Sequence, residues 1–478
     1  MNRQALLKRF AAMLLLSVLL AGMGVAATGS RPNFLFILVD DLGYADLGCY
    51  GSTFYDTPQL DRFAKSALRF TNGYAAHPVC SPTRAAIMTG QNPARVGITD
   101  WIPGSNPKGK KLKTPSDKHK LPLEHVTIAE ALKQAEYQTF FAGKWHLGGE
   151  GFYPEDQGFD INIGGHHVGS PPGGYHAPFK NPKLRNRPDD NYLPDRLTDE
   201  TLKFIEDNRS KPFLAYLSFY TVHTPIQPCK RHIEEYVAKR QTVYGDKKTG
   251  SVQEHDGKTR TTQDNPGFAS MVRAMDENVG RLLDKLDELK LAGKTVVIFT
   301  SDNGGLTTLG RRPGPTCVRP LRGGKGWCYE GGIRVPLIVR APGITEPGSE
   351  CDVPVYSADF YPTMLNLAGL KPMAKQHSDG MDLTDLMKAG TPLDREFIVW
   401  HYPHYHGSAW RPGSAIRSGK WKLVEHYDYE KIELFDLEKD IGEKNDLSGK
   451  MPEKVKELHQ MMRKYLESVG AEFPVPVK

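Results

Sequence analysis

The sequence predicts an α/β fold: a sheet of buried parallel strands flanked by helices, followed by a smaller α+β domain built on an antiparallel sheet. Three observations predict it. Near-continuous apolar runs stop abruptly at polar residues, as strands covered on both faces do. Amphipathic helical patterns alternate with those runs. From about residue 375 the texture changes to short strands separated by turn residues. The chain of 478 residues is also longer than one core usually organises.

The elements follow in order. Residues 1–27 combine a basic start (Arg3, Lys8, Arg9), an apolar run from Ala11 to Ala21 and a small-residue ending, Val25-Ala26-Ala27. This is a secretory signal pattern, with an apolar run too short to span a membrane. No cysteine follows it to carry a lipid. The expected product is exported, periplasmic or extracellular, with no membrane anchor. Residues 28–374 then form the larger domain and residues 375–478 the smaller one.

Within the larger domain, "NFLFILVDD" ends at Asp40-Asp41, and Thr57 to Phe70 carries apolar residues at helical spacing (60, 63, 64, 67). Thr127-Ile-Ala-Glu130 is a capping box opening a helix into Tyr137. "QTFFAGKWHLG" ends at Lys144 and His146, and "FLAYLSFYTVHTP" at His223. Phe268 to Leu289 is a long amphipathic helix, after which "TVVIFTSDNGG" ends at Asp302-Asn303. Such sheets bind ligands beyond the carboxyl ends of their strands. Four strand ends would therefore bring three aspartates, an asparagine, a lysine and two histidines into one crevice.

Two polar stretches, Pro103–Pro122 and Pro228–Pro266, read as surface loops. The first holds Lys108, Lys110, Lys111, Lys113, Lys118 and Lys120, either as a solvated loop or as a contact for a polyanion. In the smaller domain "REFIVWHY", "SAIRSG", "KWKLVEHY" and "KIELFDL" read as antiparallel strands, and Pro452 to Ser468 as a closing helix. The formal charge is +6, of which three positive residues lie in 1–27. The remaining excess of about +3 does not argue for nucleic acid and suits an anionic substrate. Six cysteines do not make a disulfide scaffold.

One stretch fits none of these structural roles: "HPVCSPTRAAIMTG", His77 to Gly90. Its Cys80-Ser81-Pro82-Thr83-Arg84, followed by Thr89-Gly90, matches a Cys-x-Pro-x-Arg signature. Together with "GKWHLG" and "GGKGWCYEGGIRVP" it makes nearly the whole mature chain resemble the formylglycine-dependent (type I) sulfatases of the alkaline phosphatase superfamily. That resemblance implies an alkaline phosphatase-like sandwich with a large mixed sheet. It also implies that a formylglycine-generating maturation enzyme oxidises Cys80 to an aldehyde, which hydrates to a diol. One diol oxygen attacks sulfur, and deprotonation of the other expels sulfate.

By the same resemblance, Arg84 holds the diol and the ligand carboxylates, Lys144 and Lys325 bind sulfate oxygens, His146 is the base and His223 protonates the leaving oxygen. Asp40, Asp41, Asp302 and Asn303 offer only oxygen ligands, which favours one Ca²⁺, with residue 80 completing the shell. Zinc phosphatases of the superfamily tend to carry His where Asn303 stands. A further sulfate contact after "GFD" falls to His166, His167 or Ser170. Cys317 and Cys328 flank Lys325 as either a disulfide or two buried thiols.

The function expected is hydrolysis of sulfate monoesters, with a sulfated carbohydrate as substrate. A phosphodiesterase or phosphonate hydrolase on the same scaffold, or a non-catalytic binder of sulfated glycans, are the alternatives. The loop "WHYPHYHGSAWRPGSAIR" either packs a domain junction or closes over the crevice and holds a sugar. In the second case His401, His404 and Arg411 bind substrate, beside His406 and Trp410.

Overall fold

The first strand, β1 (Asn33–Val39), sets the plan of the molecule because both of its faces are buried. Leu35, Ile37 and Val39 enter one core, and Phe34, Phe36 and Leu38 enter another. The computed structural model describes residues 31–105 and 107–477, so the expected signal segment lies outside the described residues. Residues from Pro32 onward form one unit.

Seven more strands complete the main sheet: β2 (Leu68–Phe70), β3 (Gln138–Gly143), β4 (Ile161–Ile163), β5 (Phe213–Ser218), β6 (Thr295–Ser301), β7 (Leu337–Arg340) and β8 (Glu350–Cys351). Their spatial order is β8-β2-β7-β6-β1-β5-β3-β4. The run β6-β1-β5-β3-β4 is parallel, and β7 pairs antiparallel with both β6 and β2. The sheet is therefore mixed, and the four strands whose ends carry the polar residues are consecutive neighbours. One core packs Leu193–Asp207 and Pro266–Glu288 against the sheet. The other packs Cys80–Thr89, Ile128–Lys133 and Phe360–Leu367.

Local chemistry explains where several elements start and stop. Thr127 Oγ1 accepts from the Glu130 amide and the Glu130 carboxylate accepts from the Thr127 amide, the expected capping box. That helix nevertheless ends at Lys133 rather than Tyr137, because Glu136 turns into the left-handed region at φ 63° before β3 begins. The helical spacing from Thr57 is realised only over Pro58–Ala64; Leu68–Phe70 pairs instead as β2, tertiary pairing overriding the local pattern. The stretch 228–266 holds a helix, Ile233–Tyr244, and a hairpin, Ser251–Glu254 with Gly257–Arg260, rather than loop alone. The helix buries only Tyr236, so its sequence shows little apolar periodicity.

Towards the C-terminus, β9 (Ile398–Tyr402), β10 (Gly413–Ser418), β11 (Trp421–His426) and β12 (Lys431–Asp436) form the expected antiparallel meander. Val399, Ile416, Leu423 and Leu434 pack against Leu458, Met462 and Leu466 of the closing helix Pro452–Ser468. On the opposite face, Trp400, Ala415, Val424 and Phe435 share a core with Val79, Ala86, Trp327 and Tyr329. These last four residues flank Cys80 and Lys325. The small sheet thus backs the two segments that carry the reactive residues.

Candidate active site

The carboxyl edge of the parallel run delivers Asp302 and Asn303 after β6, Asp40 and Asp41 after β1, His223 beyond β5, and Lys144 and His146 after β3. Asp41 and His146 lie in the left-handed region at φ 61° and 59°. Non-glycine residues rarely adopt it, and such strain gathers where a side chain must be aimed. Opposite this edge, the helix Cys80–Thr89 begins at Cys80 itself, which is 2% exposed. Its first-turn amides and dipole favour negative charge at residue 80.

Arg84, one turn further along, has its guanidinium committed. Nε and Nη2 donate to Asp302 Oδ2 (2.9 and 2.7 Å), and Nη1 donates to the Lys144 carbonyl (2.7 Å) and Ser218 Oγ (2.6 Å). Lys144 Nζ lies 2.7 Å from Asp40 Oδ2, and Lys325 Nζ 2.6 Å from Asp41 Oδ1. Asn303 Nδ2 donates to Asp41 Oδ1 at 2.8 Å. Three carboxylates and three cations are thus buried together. Burial drives the Asp40 carboxyl well above its ordinary range, with Lys144 opposing. Against the same burial, Lys325, His223 and Lys144 hold Asp41 below it.

Despite this pairing, Asp40 Oδ1, Asp41 Oδ2 and Asn303 Oδ1 are buried without a hydrogen-bond partner. Buried acceptors left unpaired are costly. Ligand atoms of Asp40, Asp41 and His223 lie within 4.8 Å of one another. An oxygen-rich set with orphaned lone pairs is what a hard divalent cation would satisfy.

A cavity of about 250 Å³ opens over residue 80, lined by Cys80, Trp101, His146, Gly169, Ser170, His223, Lys325 and His406. His146 Nε2 faces the Ile102 carbonyl, an acceptor only, so that nitrogen carries the proton. Its Nδ1 is then a bare lone pair 3.3 Å from Cys80 Sγ. Burial first, and then Lys144, push this ring well below the ordinary histidine range, so it rests neutral. Gly169 is required beside it, since a Cβ there would stand 2.5 Å from His146 Cε1. His223 Nδ1 donates to the Thr224 carbonyl (2.6 Å), leaving Nε2 toward the cavity and 3.8 Å from Asp41 Oδ2. Burial and Lys325 lower its pKa to about 3, with Asp41 opposing.

Comparison with known proteins matches this chain to one family. The family model described as Sulfatase matches residues 32–370, and N-sulphoglucosamine sulphohydrolase, C-terminal, matches residues 324–472. The chain belongs to the sulfatases. Arylsulfatase A of Homo sapiens is 34% identical, over 94% of this chain and 89% of its own length. A sulfatase of Formosa agariphila is 31% identical, over 92% and 88%. Among solved structures, Ps i-CgsB in complex with k-i-k-neocarrahexaose superposes with a TM-score of 0.74 at 28% identity, covering 91% of this chain and 93% of that one. The protein is accordingly a sulfuric ester hydrolase, a type I sulfatase with the alkaline phosphatase-like fold.

The sulfatase brings Cys80, Arg84, Lys144, His146, His223, Lys325, Asp40, Asp41, Asp302 and Asn303 together around one centre. Of the three candidates after "GFD", Ser170 lines the cavity, whereas His166 stacks on Tyr153 and against His167. His401 is buried between Ser414 Oγ (2.7 Å) and the Glu472 carbonyl (2.9 Å) and does not line the cavity. His404 pairs with Thr99 Oγ1 (2.9 Å) beside a separate surface groove, and Arg411 is tied to Asp256 and Asp428. The loop's contribution to the cavity is His406. Trp101 went unread because nothing local to "TDWIPG" marks it; the loop reaches the site only through tertiary packing. Cys317 and Cys328 are both free, buried thiols, so the disulfide alternative is not realised.

Proposed function

We propose that this sulfatase removes sulfate from sulfated carbohydrates outside the cytoplasm, with Cys80 converted to formylglycine and one Ca²⁺ per chain. The carrying observation is the bare Nδ1 of His146 facing residue 80 at the base of a cavity walled by two further histidines, His223 and His406, and by Lys325. Once matured, residue 80 supplies a diol, of which one hydroxyl attacks sulfur and the other yields the proton whose loss frees sulfate. Asp40, Asp41, Asp302 and Asn303 would hold the cation, which supplies Lewis acidity to sulfate oxygens.

The chain's own residues divide the remaining work. His146 Nδ1 takes the proton from residue 80, and its Nε2–H is fixed by Ile102 so the ring cannot present the wrong nitrogen. Lys144 and Lys325 place positive charge beside the anionic ester, and Arg84 orients Asp302 rather than meeting substrate. His223 Nε2 donates to the leaving oxygen in its protonated form, which a bound sulfate anion favours. Ser170 Oγ adds a neutral contact at the rim.

Carbohydrate as substrate is supported by the structural neighbour bound to a neocarrahexaose and by the polar, histidine-rich rim. Export is supported by the signal pattern in residues 1–27, and no helix among the described residues is long and apolar enough to cross a membrane. The test is a mass spectrum of the peptide containing residue 80, paired with turnover of Cys80→Ala. An aldehyde in active protein and loss of turnover in a folded variant are expected. Full activity from protein holding only the thiol overturns the mechanism.

A further inference from the structure

Beside the catalytic cavity runs a second, larger groove of about 840 Å³, and His406 lines both. The ring is held at this junction by Ser408, whose amide donates to Nδ1 at 3.2 Å. Nε2 therefore carries the proton and has no partner of its own among the described residues, leaving a donor at the boundary. A side chain at Gly326 would displace it, since a Cβ there would lie 2.1 Å from His406 Nδ1. The loop carrying His406 and the turn after Lys325 are thus fitted to each other.

The charges around the groove are unbalanced in a specific way. Arg411 bridges Asp256 and the buried Asp428, the second at 2.6 Å, so this trio keeps one negative charge. Two other cations that line the groove, Lys110 and Arg311, form no salt bridge among the described residues, though Lys110 still acts on Asp256. Arg311 is exposed at the tip of the hairpin Thr308–Leu309/Arg312–Pro313. Lys110 stands 5.1 Å over the Tyr405 ring. Lys110 belongs to the lysine-rich stretch, and that stretch is fastened here: Ser105 Oγ donates to the Tyr405 carbonyl (2.8 Å), and the Leu112 amide donates to Tyr405 Oη (3.3 Å). Leu112–Lys113 also pairs with Val475–Pro476. A merely solvated loop would need no such anchoring against the wall of a groove.

Resting on the carbohydrate reading above, we propose that this groove is a second anion subsite. It holds a sulfate or carboxylate on the sugar adjoining the one whose sulfate is cleaved. Lys110 and Arg311 supply the charge, and His406 Nε2–H bonds the linkage between the two sugars. The enzyme then prefers a polyanionic oligosaccharide to a lone sulfated sugar, by an interaction that salt screens.

The test compares wild type with Lys110→Ala/Arg311→Ala on three probes: a sulfated galactan tetrasaccharide, the matching sulfated monosaccharide and 4-nitrocatechol sulfate. Both replaced side chains are exposed, and thermal unfolding checks that the fold is kept. The expected result is a loss of tenfold or more in kcat/KM on the tetrasaccharide, mainly through KM. The other two probes should change less than twofold, and the wild-type tetrasaccharide preference should shrink from 50 to 500 mM NaCl. If wild type and variant cleave tetrasaccharide and monosaccharide equally well, the subsite falls and the carbohydrate reading stands. If only the aryl sulfate is cleaved, the carbohydrate reading falls and the subsite with it.

Discussion

Lys422 on β11 offers the sharpest test of how the small sheet supports the active site. It is fully buried, and its Nζ lies 2.9 Å from both Glu330 Oε1 and Glu443 Oε1. Glu330 stands five residues after Lys325 and also accepts from Tyr74 Oη (2.7 Å), while Glu443 accepts from the Glu330 amide (2.7 Å). Lys422→Met keeps an unbranched apolar chain and removes the ammonium, which stands 5.9 Å over the Trp400 ring. Two buried carboxylates are then left facing each other. Breaking a buried ion pair by deleting one partner costs about 3–5 kcal/mol.

Protonation sets how that cost varies with pH. Burial, reinforced by the charge of Glu330, raises Glu443 to about 7 even with Lys422 present. Between its unfolded value near 4.5 and about 7 the folded chain holds the extra proton, so this group's stabilisation declines as pH rises through that window. Without Lys422 the carboxyl stays protonated to still higher pH, and the variant's deficit should be larger at pH 8 than at pH 6. Urea unfolding at both pH values measures it, and Lys422→Met/Glu443→Gln should recover part of the loss at pH 8. Turnover of an aryl sulfate should fall as well, because the loop bearing Lys325 is loosened. A deficit below 1 kcal/mol, or one equal at the two pH values, would refute the reasoning.

Three further outcomes are expected. Asp302→Ala removes a proposed ligand and the partner of Arg84, so elemental analysis should show less than one divalent ion per chain and turnover should drop by orders of magnitude; stoichiometric zinc in the wild type would reassign the site. His223→Ala should slow cleavage of sugar sulfates far more than of aryl sulfates, whose leaving groups need no proton; equal losses would point to sulfate binding instead. His401, lowered to about 4 by burial, is neutral in the fold, so between pH 6.5 and 4 the unfolded chain binds the extra proton and stability falls with acidification. At 1.36 kcal/mol per pKa unit this is about 3 kcal/mol, and His401→Gln should flatten the unfolding midpoint over that range.

The parts of the site that strands deliver were legible, and the parts that loops deliver were not. A buried strand announces itself by an apolar run, and its first polar residues mark the open edge, so Asp40, Lys144, His223 and Asp302 could be read without structure. Cys80 and Arg84 needed the motif, because a short polar helix start has no periodicity to expose it. Histidines in "WHYPHYHG" show the limit. His401 lies on β9 and His406 five residues beyond, and only the register of β9 with β10 decides that His401 meets Ser414 while His406 reaches the cavity. Composition alone weighs the three histidines equally. The same holds for Leu68–Phe70, whose helical spacing continues a real helix but whose pairing with β7 is a long-range event.

The charge balance of the centre explains why so many ionic groups tolerate burial there. Asp40, Asp41 and Asp302 face Arg84, Lys144 and Lys325, three against three, with near-complete exclusion of water. Each pair bears a desolvation cost that its own attraction offsets only in part, so a stability argument alone would favour apolar residues in their place. The cation proposed above would give Asp40, Asp41 and Asn303 the partner that their orphaned oxygens lack. Its double positive charge would then bear on the three aspartates beside that of the lysines and the arginine. Lys325, which lines the cavity above residue 80, would be shared less tightly with Asp41 and would turn toward an anion there. A sulfate ester brings one negative charge and develops more on its leaving oxygen as the S–O bond breaks, which is where fixed positive charge lowers the barrier. On that proposal the buried ion pairs hold cations in reserve for substrate.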